Sequence, residues 1–108
     1  MANFRDLLKA AKSEITEVDT AGAADLIDDG WAVLDVREPE EFDAGAIPGA
    51  VHIPRGHLES QIEGRLTDKT KPVVVYCARG GRAQKAKDQL DAAGYTHVVN
   101  GGGYDDLR

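Results

Sequence analysis

The sequence predicts an α/β domain with a small parallel sheet of about five strands and helices on both faces of that sheet. Short apolar runs alternate with amphipathic helical patterns along the chain. The run at residues 31–36 is apolar at nearly every position, as in strands that are covered on both faces. Strands that alternate with helices in this way favour parallel pairing through right-handed crossovers.

The amino-terminal part of the chain predicts a separate arm. Residues 3–13 place apolar side chains at helical spacing, which indicates a short amphipathic helix. Residues 15–18 predict a first short strand. We therefore expect residues 1–14 to form a helical arm and residues 15–108 to form one domain without linkers or internal repeats.

The next stretch predicts a helix, a strand and a short helix. Asp19 is a suitable N-cap for a helix that ends at Gly30. The apolar strand at 31–36 follows. Pro39 suits the first turn of a short helix, which Gly45 ends.

The middle of the chain predicts two strands joined through a weak helical pattern. Residues 50–53 indicate a short strand that Pro54 stops. Residues 57–63 indicate a helix weakly. Pro72 then precedes an apolar strand at residues 73–76.

The carboxyl-terminal part predicts a longer helix and a last strand. The helix begins at Arg82, carries alanine and leucine at helical spacing, and ends at Gly94. Residues 97–100 predict the last strand. Residues 101–103 predict a glycine turn, and residues 104–108 predict one closing helical turn.

Three polar or reactive side chains come at the ends of two predicted strands. Cys77 comes directly after the strand residues 73–76, and Asp35 and Arg37 lie at the end of the strand at 31–36. Ligands of parallel sheets bind outside the carboxyl ends of the strands. We therefore expect these side chains to meet at one rim of the sheet.

Length and composition are those of a single ordinary domain, with 108 residues, 42% of them hydrophobic and 30% charged. A single cysteine excludes an internal disulfide framework and a cysteine-rich zinc site. The net charge of −6 argues against a nucleic-acid partner. No apolar run approaches the ~18 residues of a membrane span. The mixed, charged first residues lack a signal-peptide pattern, so we expect a cytoplasmic protein.

The charge is unevenly distributed along the chain. Residues 64–87 carry seven basic and one acidic side chain, although the whole chain is acidic. This segment contains Cys77, and a local positive field suits a small anionic substrate. For four of the basic residues a solvated surface face remains an alternative, namely Lys69, Lys71, Lys85 and Lys87.

Cys77 is the candidate nucleophile. A lone cysteine is often a small buried hydrophobe, but this one precedes two glycines, two arginines and a predicted helix. The glycines allow successive N–H groups to point inward, and the arginines add permanent positive charge. These groups and the positive end of the helix favour a thiolate. The candidate active-site loop consists of Cys77, Ala78, Arg79, Gly80, Gly81 and Arg82.

No general base accompanies the thiol in the sequence pattern. The spacing of His52, His57 and His97 does not indicate contact with Cys77, which favours a preformed thiolate over cysteine–histidine hydrolysis. The acidic residues within 38–43 fit a solvated helix face better than a metal site. We therefore expect no metal.

The spacing within the loop separates two chemistries. Cys77 and Arg82 enclose four residues, a C-x4-R pattern. A phosphate-transfer loop of the cysteine type needs C-x5-R, and Ala83 occupies the position one residue further on. The tighter loop favours a smaller, sulfur-centred group.

Four motifs resemble those of the single-domain rhodaneses, a family of thiosulfate or persulfide sulfurtransferases. They occur in the family's order, and the resemblance covers roughly residues 15–108. The motifs are LDVREPEEF (34–42), IPGAVHIP (47–54), CARGGRA (77–83) and NGG (100–102).

The resemblance implies a doubly wound α/β domain in which Cys77 carries sulfur. The thiolate would take the outer sulfur of thiosulfate or of a persulfide, and a thiol or cyanide would accept it from the Cys77 persulfide. The implied cycle needs no cofactor. By the same resemblance, Asp35 is expected to anchor the loop through Arg82, and Arg37 to line the pocket and pair with Glu41. A purely structural ion pair is the alternative for Asp35 and Arg37.

Three positions depart from the family pattern. Ala46 stands where the family often has histidine. Ala78 stands where it often has arginine, which here follows at Arg79. Tyr104 follows the glycines where tryptophan is common, and we expect it to take over that packing role. These departures bear on donor preference more than on the class of reaction.

Two other functions are compatible with these residues. The first is a sulfur-carrier or binding module that has the fold and serves a protein acceptor. The second is a small cysteine phosphatase or arsenate reductase, which the C-x4-R spacing opposes.

Overall fold

A computed structural model describes residues 18–108. The predicted helix at 3–13 lies outside the described residues, and so does the predicted strand at 15–18 apart from Val18, which has no regular structure. The described elements in chain order are α1 (Thr20–Asp28), β1 (Ala32–Asp35), α2 (Pro39–Ala44), β2 (Val51–His52), a 3-10 turn (Arg55–His57), α3 (Leu58–Arg65), β3 (Val73–Cys77), α4 (Gly81–Ala92), β4 (Val98–Gly103) and α5 (Tyr104–Leu107).

The four strands of the described region form one sheet in the order β2-β1-β3-β4. All three neighbouring pairs are parallel, and Leu34 of β1 lies opposite Val51 of β2 and Val75 of β3. The predicted α/β fold with a small parallel sheet is therefore confirmed. The fifth strand of the prediction falls on residues 15–18.

The sheet is covered on both faces. Alternate residues of β3 point to opposite sides, so Val75 and Cys77 belong to a cluster with α3 and α4, whereas Val74 and Tyr76 pack with α1 and α5. This double burial explains why β3 is apolar along its whole length. None of the helices within residues 18–108 is long and apolar enough to cross a membrane.

The glycine run at 101–103 is not a turn, contrary to the prediction. It continues β4, and the pairing with β3 skips Gly101, because Val75 pairs with Asn100 and Tyr76 pairs with Gly102. Glycine is needed here because other backbone comes close. A Cβ atom on Gly103 would lie 2.7 Å from the carbonyl oxygen of Ala78.

Candidate active site

Cys77 is the last residue of β3, and its side chain lies under the turn that leads into α4. The residue is 1% exposed. The N–H group of Gly80 donates a hydrogen bond to Cys77 Sγ, with 2.8 Å between nitrogen and sulfur. Gly80 can direct its N–H back toward the sulfur because its φ is +108°, a conformation that other residues rarely adopt.

Helix α4 begins immediately after Gly80 and has twelve residues. The first N–H groups of a helix have no partner within it, and they give this end a partial positive charge. Cys77 is three residues before Gly80, so its sulfur lies at this end of α4. A hydrogen-bond donor and the positive end of a helix therefore lie beside the sulfur, where they can meet the negative charge of a bound anion.

Arg82 lies in the first turn of α4 and forms a two-point ion pair with Glu41 of α2. Its Nη1 and Nη2 atoms donate to the two carboxylate oxygens at 2.8 and 3.0 Å. The hydrogen bond from Arg82 lowers the pKa of Glu41 from 4.5 to about 2. Glu41 also accepts a hydrogen bond from the backbone N–H of Glu38, the residue before α2. The start of α2 therefore fixes the carboxylate that binds Arg82.

Asp35 and Arg37 form a second pair beneath the rim. Arg37 Nη2 lies 2.8 Å from Asp35 Oδ2, and the two residues are 4% and 0% exposed. Tyr76 donates its hydroxyl hydrogen to the same Oδ2 atom at 2.6 Å and accepts from the N–H of Ile47 at 3.0 Å. Burial raises the pKa of Tyr76, so the hydroxyl remains a donor.

The predicted partners of the two arginines are therefore wrong. We expected Asp35 to hold Arg82 and Glu41 to hold Arg37, but the structure pairs Arg37 with Asp35 and Arg82 with Glu41. The geometry of the strand end explains the difference. The N–H of Arg37 donates to Asp35 Oδ1 at 2.8 Å, so Asp35 folds back over its own segment and is not available to the loop.

Arg37 supports the framework instead of lining an open pocket as expected. Its Nη2 atom donates to the carbonyl of Gly45 at 2.7 Å, and its guanidinium lies 4.3 Å from the centre of the Tyr104 ring. Tyr104 also stacks on Tyr76 with 6.1 Å between ring centres. Tyr104 thus packs over the buried pair, as expected for the residue after the glycine run.

Two lysines of the positive segment 64–87 belong to the surface and not to the active-site loop. Lys69 donates to the carbonyl of Ala93, and Lys87 pairs with Asp91, so both belong to the surface around α4. Lys69 also precedes β3, a strand of five residues that spans about 16 Å before it reaches Cys77. Because exposed charges are screened within about 10 Å, this lysine adds little to the field at the sulfur.

Arg79 is the cation of the loop that stays accessible. Its side chain is exposed, and it makes no hydrogen bond or ion pair with any other residue within 18–108. Arg82 is largely neutralised by Glu41. Of the two loop arginines, Arg79 is therefore the one that can meet an anion at the rim.

The histidines are engaged in structure or lie at the surface. His52 stacks on Phe42 with 4.4 Å between ring centres, and its Nε2 atom lies 2.8 Å from the carbonyl oxygen of Arg37. Within residues 18–108 no hydrogen bond joins a histidine to Cys77, whose sulfur accepts from Gly80. The described region contains no group of three or more side chains that could hold a metal ion.

The role of Asn100 was not predicted from the sequence, and Glu41 was predicted to pair with Arg37 instead of Arg82. Asn100 donates from Nδ2 to the carbonyl of Gly80 at 3.0 Å, and Glu41 holds Arg82. The glycines of the NGG motif indicated an unusual backbone conformation next to Asn100. The contact of Asn100 with the loop, however, depends on the pairing of β3 and β4. Nothing in local sequence indicates which arginine Glu41 contacts.

Residues 19–107 match the family model of the rhodanese-like domain. The chain is 39% identical over 74 residues to the thiosulfate sulfurtransferase PspE of Escherichia coli (strain K12), an alignment covering 68% of this chain and 71% of that protein. It is 33% identical over 73 residues to the putative sulfur carrier protein YrkF of Bacillus subtilis (strain 168), covering 68% of this chain and 38% of YrkF.

A solved structure of a rhodanese with anions from E. coli superimposes with a TM-score of 0.68 at 38% identity, covering 71% of this chain and 91% of that one. The fold, the order of the motifs and the family match therefore agree along the described part of the chain. The protein belongs to the rhodanese-like domain family and is related to single-domain sulfurtransferases.

Proposed function

We propose that the protein moves a sulfane sulfur from thiosulfate or a persulfide donor to a thiol or cyanide acceptor through a Cys77 persulfide. One observation carries the proposal. Cys77 Sγ accepts the N–H of Gly80 at 2.8 Å at the start of α4, and within residues 18–108 no histidine is hydrogen-bonded to it, which supports a mechanism in which the sulfur attacks without a histidine base. The similarity to a thiosulfate sulfurtransferase supports the same chemistry.

In the first step the Cys77 thiolate attacks the outer sulfur of thiosulfate. A new S–S bond forms on Cys77 while the S–S bond of thiosulfate breaks, and sulfite leaves with the electron pair of that bond. The outer sulfur of the persulfide then carries the negative charge. In this proposal the Gly80 N–H, which contacts Cys77 Sγ, and the N-terminal end of α4 stabilise this charge.

In the second step the acceptor attacks the outer sulfur of the persulfide. A cyanide ion gives thiocyanate and a thiolate gives a new persulfide, and in both cases the Cys77 thiolate leaves with the electron pair of the broken bond. No net oxidant or reductant is consumed. The Cys77 thiolate is thus regenerated in the loop in which it began.

Two arginines have different roles in this proposal. Arg79 is exposed and unpaired within residues 18–108, and it binds the anionic part of the donor. Arg82 is held by Glu41 and keeps the loop closed around the sulfur. Because Ala78 adds no charge beside the cysteine, anion affinity depends on Arg79 and the backbone N–H groups.

Steady-state kinetics with thiosulfate and cyanide test the two-step cycle. A double displacement through a covalent intermediate gives parallel lines in double-reciprocal plots, because the acceptor reacts only after sulfite has left. Cys77→Ser should reduce thiocyanate formation to background, and Lys71→Ala is a matched control on an exposed residue before β3. Intersecting lines, or undiminished turnover by Cys77→Ser, would exclude the proposed intermediate.

A sulfur carrier for a protein acceptor is the second candidate, favoured by the similarity to a putative sulfur carrier protein. It uses the same persulfide but differs in the second step. Persulfidated protein should then keep its sulfur in the presence of cyanide or small thiols and lose it to a protein from cell extract. Rapid transfer to small thiols would favour the first candidate. Hydrolysis of p-nitrophenyl phosphate would instead indicate the phosphatase chemistry that the C-x4-R loop opposes.

A further inference from the structure

Asn100 lies in the middle of β4, and its side chain makes three hydrogen bonds: one to the carbonyl of Gly80 in the active-site loop, one to Gln84 of α4, and one from the N–H of Gly102 in its own strand. We propose that Asn100 is a positioning residue for Cys77: by holding the carbonyl of Gly80, it keeps the Gly80 N–H directed at the sulfur. The inference rests on the proposed function only for its effect on sulfur transfer. The effect on the thiol itself can be measured independently.

Gly80 is fixed from two sides. Its N–H donates to Cys77 Sγ at 2.8 Å, and its carbonyl accepts from Asn100 Nδ2 and from the N–H of Gln84, each at 3.0 Å. A glycine has no side chain that packing could immobilise, and it moves easily between positive and negative φ. The bond from Gln84 belongs to α4 and moves with the helix, whereas the bond from Asn100 ties Gly80 to the sheet.

The Asn100 side chain is itself held in a single orientation. Its Oδ1 atom accepts the N–H of Gly102 at 2.9 Å, while Nδ2 faces the carbonyl of Gly80. Rotating the amide by half a turn would place oxygen against oxygen and N–H against N–H, so both bonds would be lost. Asn100 pairs with Val75 in the sheet, which makes it a rigid base for the loop.

The irregular pairing at Gly101, a β-bulge in β4, brings this strand close to the active-site loop. The pairing of β3 and β4 skips Gly101, and Gly102 continues it opposite Tyr76 with φ of +90°. The bulged backbone approaches the loop closely, since a Cβ atom on Gly80 would lie 3.5 Å from Gly102 Cα. A short amide side chain at position 100 is therefore long enough to reach the loop carbonyl.

The pH profile of Cys77 alkylation by iodoacetamide tests the role directly, because it uses no sulfur donor. Asn100→Ala removes the donor to Gly80, and Asn100→Asp keeps the shape but puts an oxygen against the carbonyl. We expect the profile midpoint to rise by about one pH unit in Asn100→Ala, which corresponds to ~10-fold slower alkylation on the acidic side. Asn100→Asp should shift further, since a negative charge is added near the sulfur.

Gln84→Ala is the matched control, because it removes the remaining contact of Asn100 Nδ2, at 3.3 Å, and leaves the contact with Gly80. It should leave the profile at its wild-type position. Asn100→Ala and Gln84→Ala leave the charged groups of the loop unchanged, namely the Arg82–Glu41 pair and exposed Arg79. A wild-type profile in folded Asn100→Ala would overturn the proposal.

If Asn100→Ala does not fold, as judged by circular dichroism, Asn100→Ser and a measurement on the wild-type protein take its place. In the wild-type protein the Gly80 amide proton should shift downfield in NMR spectra as the Cys77 thiol loses its proton. An unresponsive Gly80 amide would overturn the proposal. If the Asn100 variants shift the alkylation profile but the wild-type protein accepts no sulfur, the positioning role stands and the proposed function fails.

Discussion

Glu41 and Arg82 are 41 positions apart in the sequence, yet their side chains form a two-point ion pair at 2.8 and 3.0 Å. The pair joins α2, which follows β1, to α4, which follows β3. It therefore connects two crossover segments at the rim where Cys77 lies. Each side chain is about a third exposed, at 33% and 30%, so its importance lies in geometry more than in stability.

Glu41→Gln should slow sulfur transfer more than it lowers stability. The amide keeps the shape of the side chain but loses its charge and one acceptor oxygen. Helix α2 then no longer holds Arg82 of the loop firmly. We expect kcat/KM for thiosulfate to fall ~10-fold and the free energy of unfolding to fall by less than about 1 kcal/mol. Arg82→Ala should have a similar effect, and the double variant should lose little more than either single variant. Additive losses in kcat/KM would contradict a joint role.

Acid should weaken the same pair. The pKa of Glu41 is about 2 in the folded protein against an ordinary value of 4.5, so the unfolded chain binds a proton more readily. The stabilisation is fully present above pH 4.5 and is lost as the pH falls toward 2. Urea unfolding across this range should show a steeper loss of stability in the wild-type protein than in Glu41→Gln. Parallel curves for the two proteins would argue against the shifted pKa.

Tyr76→Phe should destabilise the protein without acting on the chemistry. The change removes the donor to buried Asp35 and the acceptor of the Ile47 N–H, while ring packing is kept. Leaving buried polar groups without partners costs about 1–3 kcal/mol in the free energy of unfolding. Urea denaturation measures this loss, and kcat at saturating donor should stay near the wild-type value. Unchanged stability would show that the Tyr76 hydroxyl is not needed by Asp35.

Gly103→Ala should damage the active site because a Cβ atom there would lie 2.7 Å from the Ala78 carbonyl and 3.2 Å from Arg79 Cα. The loop has to shift, and we expect transfer to fall at least ~10-fold, since misplacing reacting groups by a fraction of an ångström is costly. Gly64→Ala is the control, because no atom lies within 4 Å of its Cβ in α3. It should keep full activity and gain up to about 1 kcal/mol in stability. Full activity in Gly103→Ala would mean that the loop tolerates displacement.

The sheet and the position of the thiol were predictable because they follow from local patterns. Apolar runs such as 31–36 and 73–76 indicate buried strands, and Cys77 comes between such a run and a helical pattern. The loop spacing from Cys77 to Arg82 is also local information. These features need no knowledge of how distant segments meet.

The contacts between segments were not predictable in the same way. Asp35, Glu41, Arg37 and Arg82 allow two pairings of opposite charge, and the sequence does not show that the Arg37 backbone already occupies Asp35. The glycine run at 101–103 resembles a turn, because its close approach to Val74 and Ala78 arises only when β4 joins β3. In both cases the deciding contact is made by residues distant in sequence.

Intact-mass spectrometry after incubation with thiosulfate shows whether Cys77 carries the transferred sulfur. The protein should gain the mass of one sulfur atom, peptide analysis should place that sulfur on Cys77, and cyanide should remove it with release of thiocyanate. Cys77→Ser should gain nothing under the same conditions. An unchanged mass with thiosulfate and with persulfide donors, or a gain that persists in Cys77→Ser, would rule out a Cys77 persulfide as the intermediate.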